Sequence, residues 1–120
     1  MNTGASYINR QRAAKWHEGA EPWSLADWSN AIAGEVGELA NIVKKMRRIQ
    51  TETLKQRADE QDMGVLRAKA LKEVADIAIY LDLMLEQLDP DAIMDDVIAD
   101  KFNETSREFG FTERLDKYHG

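Results

Sequence analysis

The sequence has no cysteine and only two histidines, His17 and His119. Disulfides and thiolate metal sites are therefore excluded, and so is a histidine-rich metal centre. Proline occurs twice in 120 residues and β-branched residues are sparse, which argues against an all-β fold. No apolar run approaches the roughly 18 residues that a membrane-spanning helix needs, so no membrane partner is expected. The stretch from Met1 to Lys15 is polar and lacks an apolar signal segment, so a cytoplasmic location is expected rather than secretion.

What is present is a globular balance of 43% hydrophobic and 32% charged residues. At this length a single domain spanning 1–120 is expected. The net charge of −6 is unevenly spread. Residues 1–50 hold seven basic and five acidic side chains, whereas 51–120 hold nine basic and 17 acidic. Duplex nucleic acid is a poor partner for so acidic a chain, because affinity for it comes largely from neutralising phosphates. Any anion bound here needs a local basic cluster or a bridging cation.

The apolar spacing predicts an all-α chain with four main helices. The first covers 5–16, and HEGAEPW, from His17 to Trp23, reads as a loop. Ser24 suits an N-cap, with Asp27 in the capping-box position, for a helix from Leu25 to Arg48. Residues 49–63 are polar and read as a short exposed helix or a mobile arm, with a break at Gly64. A third helix runs from Val65 to Leu88, apolar almost all round between Val74 and Leu85 and so expected to be buried. Asp89-Pro90 reads as a cap and first helical residue for a fourth helix, which ends near Glu108 with Gly110 as its C-terminal cap. The tail from Phe111 is expected to be loosely ordered or to pack on a partner.

Two acid pairs stand out, Glu35-x-x-Glu38 and Glu73-x-x-Asp76. Residues three apart share a helix face. Each pair lies inside an apolar segment, where carboxylates are seldom found unless paired or bound to metal. If the two helices pack together, four acids converge, and their mutual repulsion raises their pKa values. A hard divalent cation resolves that conflict, and carboxylate oxygens suit magnesium or manganese. Di-iron bundles use Glu-x-x-His pairs, and neither pattern contains histidine. The ordinary alternative is a set of surface or interface salt bridges. Gly34 and Gly37 each cost roughly 1 kcal/mol in a helix interior. Close helix crossing explains them, as does room for a metal and phosphate, and the two are compatible.

Other residues join these acids by helical phase. Lys45 lies on the Glu38 side, nearer than Lys44, within the basic cluster Lys44, Lys45, Arg47 and Arg48. It is a candidate for phosphate, or part of a solvated helix end that favours the dipole. Tyr80, one turn past Asp76, and Trp28, near the Glu35 side, are candidates for stacking on a base. Asn41 has donors and acceptors suited to a base edge, or to a neighbouring helix. Trp16 and Trp23 fit core packing between the first two helices. Asp82 points away from Asp76 and suits a structural role or a subunit contact.

At this point the sequence resembles the MazG-like all-α NTP pyrophosphohydrolases. The resemblance rests on GEVGELAN with Glu35 and Glu38, EVADIAIYLDL with Glu73 and Asp76, KFNETSREFGF with Lys101, Asn103 and Arg107, and the W-x-L-x-x-W pattern from Trp23 to Trp28. It spans about residues 7–112, although the polar stretch within 39–72 has no clear counterpart. It implies a four-helix-bundle-like MazG fold in a homodimer or homotetramer. It also implies cleavage of nucleoside triphosphates between the α and β phosphates, giving a monophosphate and pyrophosphate with Mg2+ or Mn2+.

The resemblance assigns the metal to Glu35, Glu38, Glu73 and Asp76. An acid not fully used by metal, Glu35 or Glu38, is the candidate to take the proton of the attacking water. It favours Lys101, in a core-facing stripe with Ile93 and Val97, as a phosphate residue, and adds Arg107 for phosphate and Asn103 for base or sugar. A purine deoxynucleotide such as dGTP is one expected substrate. A pyrimidine-selective dCTP or dUTP pyrophosphatase is the alternative enzyme, and a non-catalytic helical adaptor the alternative of another class. A phage-encoded member would act in the host cytoplasm.

Overall fold

The computed structural model describes residues 1–16, 21–51 and 62–117. Those residues form helices joined by loops, in the order α1 (Thr3–Trp16), α2 (Leu25–Thr51), α3 (Met63–Leu88) and α4 (Met94–Phe109). The all-α expectation therefore holds among the described residues. The loop with His17 lies mostly outside them, as do most of the polar stretch 49–63 and the last three residues of the tail. No described helix is long and apolar enough to cross a membrane.

The chain packs as two units, one of Met1–Leu25 with Asp82–Gly120 and the other of Ala26–Leu81. Each is described by itself. In the second unit, α2 contributes Trp28 and α3 contributes Leu66 as buried side chains. Ile32, Leu39, Ile42 and Met46 of α2 are half-buried, which traces an inward stripe at helical spacing. Trp28 lies against Tyr80 with ring centroids 5.7 Å apart and planes tilted by 59°. The segment from Val74 to Leu85 is less buried than its composition predicts, since Val74 and Leu81 are exposed. A helix apolar on all sides has more surface than one neighbouring helix can cover.

α3 starts two residues earlier than expected. Asp62 caps it, its Oδ1 accepting from the Val65 amide at 2.9 Å, and Gly64 falls inside the first turn rather than breaking the helix.

The first unit is held by polar contacts. Asp82 is fully buried. Its Oδ1 accepts from the Ser6 hydroxyl at 2.7 Å and its Oδ2 from the Asn9 amide at 3.0 Å. The Arg10 guanidinium lies 3.4 Å from the same carboxylate and donates to the Pro90 carbonyl at 3.3 Å. The structural role expected for Asp82 is thus the observed one, with α1 as its partner.

Four expectations for this unit are corrected. Asp89-Pro90 does not start α4. The Asp89 carboxylate accepts from the Asp91 amide at 3.0 Å and its carbonyl from the Ala92 amide at 3.0 Å, so the pair forms a turn. α4 begins at Met94, with Ile93 as its N-cap. The inward face of α4 is Ala99, Asn103 and Ser106, whereas Val97, Ile98, Lys101 and Phe102 face outward. Small residues let the helix approach closely, which the larger apolar residues would prevent. Trp16 is 70% exposed beneath the Arg12 guanidinium, and Trp23 is exposed too, so neither is a core residue. The tail is pinned rather than loose, with Lys117 paired to Asp100 at 3.1 Å. Gly110 ends α4 as expected, at φ 76°, with the Phe111 amide donating to the Ser106 carbonyl at 2.8 Å.

Candidate metal centre

Glu35 sits on the inward stripe of α2, seven residues after Trp28, and Glu73 and Asp76 share one face of α3. Antiparallel packing follows from two contacts, Trp28 with Tyr80 and Glu35 with the α3 acids. Carboxylate oxygens of Glu35, Glu73 and Asp76 lie within 4.8 Å of one another. Glu38 is exposed and outside this triad, yet close enough to act on Glu73. Three of the four expected acids thus meet, and the fourth borders them.

The electrostatics show the cost of that arrangement. The Glu73 carboxyl is pushed from 4.5 up to about 7, first by hydrogen bonding to Glu35, then by burial, then by the charges of Glu35 and Glu38. Its Oε2 is closed off from water with no hydrogen-bond partner. Such an oxygen calls for a proton or a cation. The Tyr80 hydroxyl is also raised, chiefly by burial and then by Glu35, Asp76, Glu73 and Glu38, which places the phenol within reach of the acids.

The acids ignore the lysines nearest to them in sequence. Lys69 precedes Glu73 by four residues and Lys72 precedes Asp76 by four, spacings that allow helical ion pairs. Among the described residues, none of the four acids forms an ion pair. A set of acids present only for salt bridges would pair with those lysines instead of crowding together.

The donor set fits a hard cation. All the donors are carboxylate oxygens, one of them buried and unpartnered.

The remaining sequence candidates are placed as follows. Tyr80 is half-buried beside the acids. Trp28 is buried behind it, so its ring supports Tyr80 rather than offering a free stacking face. Asn41 is exposed and Lys45 half-buried, both on α2. Gly34 and Gly37 are exposed, and a Cβ at either would meet nothing within 4 Å. Close helix crossing among the described residues therefore does not explain them.

Lys101, Asn103 and Arg107 belong to the first unit. Lys101 is exposed and lies 3.4 Å from Glu104, outside any core stripe. Asn103 is committed elsewhere, its amide donating to the Leu115 carbonyl at 2.9 Å and its Oδ1 accepting from the Leu115 amide at 2.8 Å. Both ends of its amide hold the tail. Arg107 is exposed in the last turn of α4. Lys69, not among the sequence candidates, is exposed and shares the helical phase of Glu73 and Asp76.

Comparison with protein-family models, with curated proteins and with solved structures gives no match.

Proposed function

We propose that this chain is a Mg2+- or Mn2+-dependent nucleoside triphosphate pyrophosphohydrolase with a MazG-like fold, acting as a homo-oligomer. It would cleave between the α and β phosphates of a deoxynucleotide, with a purine such as dGTP as the first candidate. The observation that carries this is the triad of Glu35, Glu73 and Asp76, drawn together on two helices with a buried, unpartnered oxygen on Glu73. The family resemblance of the two acid motifs supplies the reaction.

Glu35, Glu73 and Asp76 would hold the cation. When bound, it supplies neutralisation of the polyphosphate charge and a lowered pKa for the attacking water. Glu38, outside the triad, is left with a carboxylate to accept the proton of that water. The water oxygen bonds to the α phosphorus, the bond to the α–β bridging oxygen breaks, and that oxygen leaves with the electron pair as pyrophosphate. Tyr80 would lie against the nucleoside, and Lys45 would offer charge to the departing phosphates.

A panel of canonical and modified deoxynucleoside triphosphates, assayed for pyrophosphate release with Mg2+ and Mn2+, tests this. At least one substrate should turn over. Glu38→Gln and Asp76→Asn should each lose roughly a hundredfold or more in turnover while keeping the helical melt. Full activity in both variants would reject the site. No release from any nucleotide would favour the adaptor.

A further inference from the structure

Within the second unit, the two acid-bearing helices repeat one order of chemistry in opposite directions. Along α2, Trp28 and Glu35 lie on the inward stripe, and Glu38 and Lys45 follow on its flank, about 60° and 80° around the helix from Glu35. Along α3 one face carries Lys69, Glu73, Asp76 and Tyr80, at spacings of four, three and four, with Lys69 at its exposed end. Spacings of three, four and seven return to one side of a helix. Because the helices are antiparallel, aromatic meets aromatic, as the 5.7 Å pair of Trp28 and Tyr80 demonstrates, and acids meet acids. The same register carries Lys45 and Lys69 to the opposite end. At 1.5 Å per residue, Lys69 stands about 6 Å along the axis from Glu73, and Tyr80 about 6 Å beyond Asp76 on the other side.

We propose, resting on the function argued above, that this face is polar along its length and that Lys69 is a phosphate-binding residue at its cationic end. A nucleoside triphosphate lies with its base toward Tyr80, its α phosphate at the acids and its terminal phosphates toward Lys69, with Lys45 beyond. Lys69 is exposed and forms no ion pair among the described residues, although Glu73 is four residues away. Among the described residues its ammonium is therefore uncommitted. The leaving pyrophosphate, which gains charge as the bridging bond breaks, is the species it is placed to hold.

Calorimetric titration of inorganic pyrophosphate into the full chain, with Mg2+ at neutral pH, tests the proposal in wild type, Lys69→Met and Lys69→Arg. Lys69→Met should weaken pyrophosphate about tenfold, as expected for one charge-assisted contact. Lys69→Arg should restore most of that loss, and dGMP should bind all three alike. Unchanged pyrophosphate affinity in Lys69→Met, or an equal loss for dGMP, overturns the assignment. If the wild type binds Mg2+ and hydrolyses a nucleotide but Lys69→Met behaves as wild type, the polarity alone is wrong. If the wild type binds neither Mg2+ nor nucleotide, the metal centre is wrong and the polarity falls with it.

Discussion

Glu73 concentrates the tension in this molecule. Its carboxyl, pushed up to about 7, keeps a proton in the folded chain that it gives up near 4.5 when unfolded. The folded state therefore binds more protons between those values, and this contribution to stability is complete below about pH 4.5 and lost as pH rises through about 7. Without divalent cations, the wild-type melting temperature should fall between pH 5 and pH 8 more steeply than that of Glu73→Gln. Added Mg2+ should raise the wild-type melt at pH 8, where the carboxylate is ionised, and have little effect at pH 5. Parallel pH profiles for the two proteins would remove Glu73 as the source.

At the scale of the helix, the acid pairs were legible because i, i+3 spacing fixes their direction before any partner is known. Which acids would meet was not legible. Glu38 lies only about 60° around α2 from Glu35, yet it stands outside the triad, since side-chain placement depends on α3. The start of α4 was misread because Asp-Pro serves equally as a helix cap and as a turn. Hydrogen bonds from Asp91 and Ala92 to Asp89 decide for the turn. The inward face of α4 was misread because hydrophobicity pointed to Val97 and Ile98, whereas its packing uses Ala99 and Ser106. Asn103, matched by resemblance, bonds Leu115 through both ends of its amide, a contact that no periodicity announces. The two glycines of α2 offer a test at this scale. With open space at both, Gly34→Ala and Gly37→Ala should each raise stability by about 1 kcal/mol in a urea melt, from helix propensity alone. If nucleotide or a second copy uses that space, substrate affinity or self-association should fall in the same variants. Destabilisation of the isolated chain would mean that the glycines serve internal packing.

Across the whole molecule, charge separates by unit. Residues 26–81 hold nine basic and nine acidic side chains, and the excess of six acids lies in the remainder. The neutral unit carries both the proposed metal centre and the two lysines at its far end, so a polyanion meets less net repulsion there than at the acidic remainder. Exposed Val43, Leu71, Val74 and Leu81 on the same unit are consistent with the self-association proposed for the enzyme. The proposed chemistry requires a cation held by the acids of α2 and α3. Titrating Mn2+ into the full chain at pH 7.5, and following free Mn2+ by electron paramagnetic resonance, reads that directly. Wild type should deplete the free-ion signal with saturation, and Glu73→Gln and Asp76→Asn should each deplete it at least tenfold more weakly. A wild-type titration indistinguishable from that of Asp76→Asn would contradict the account.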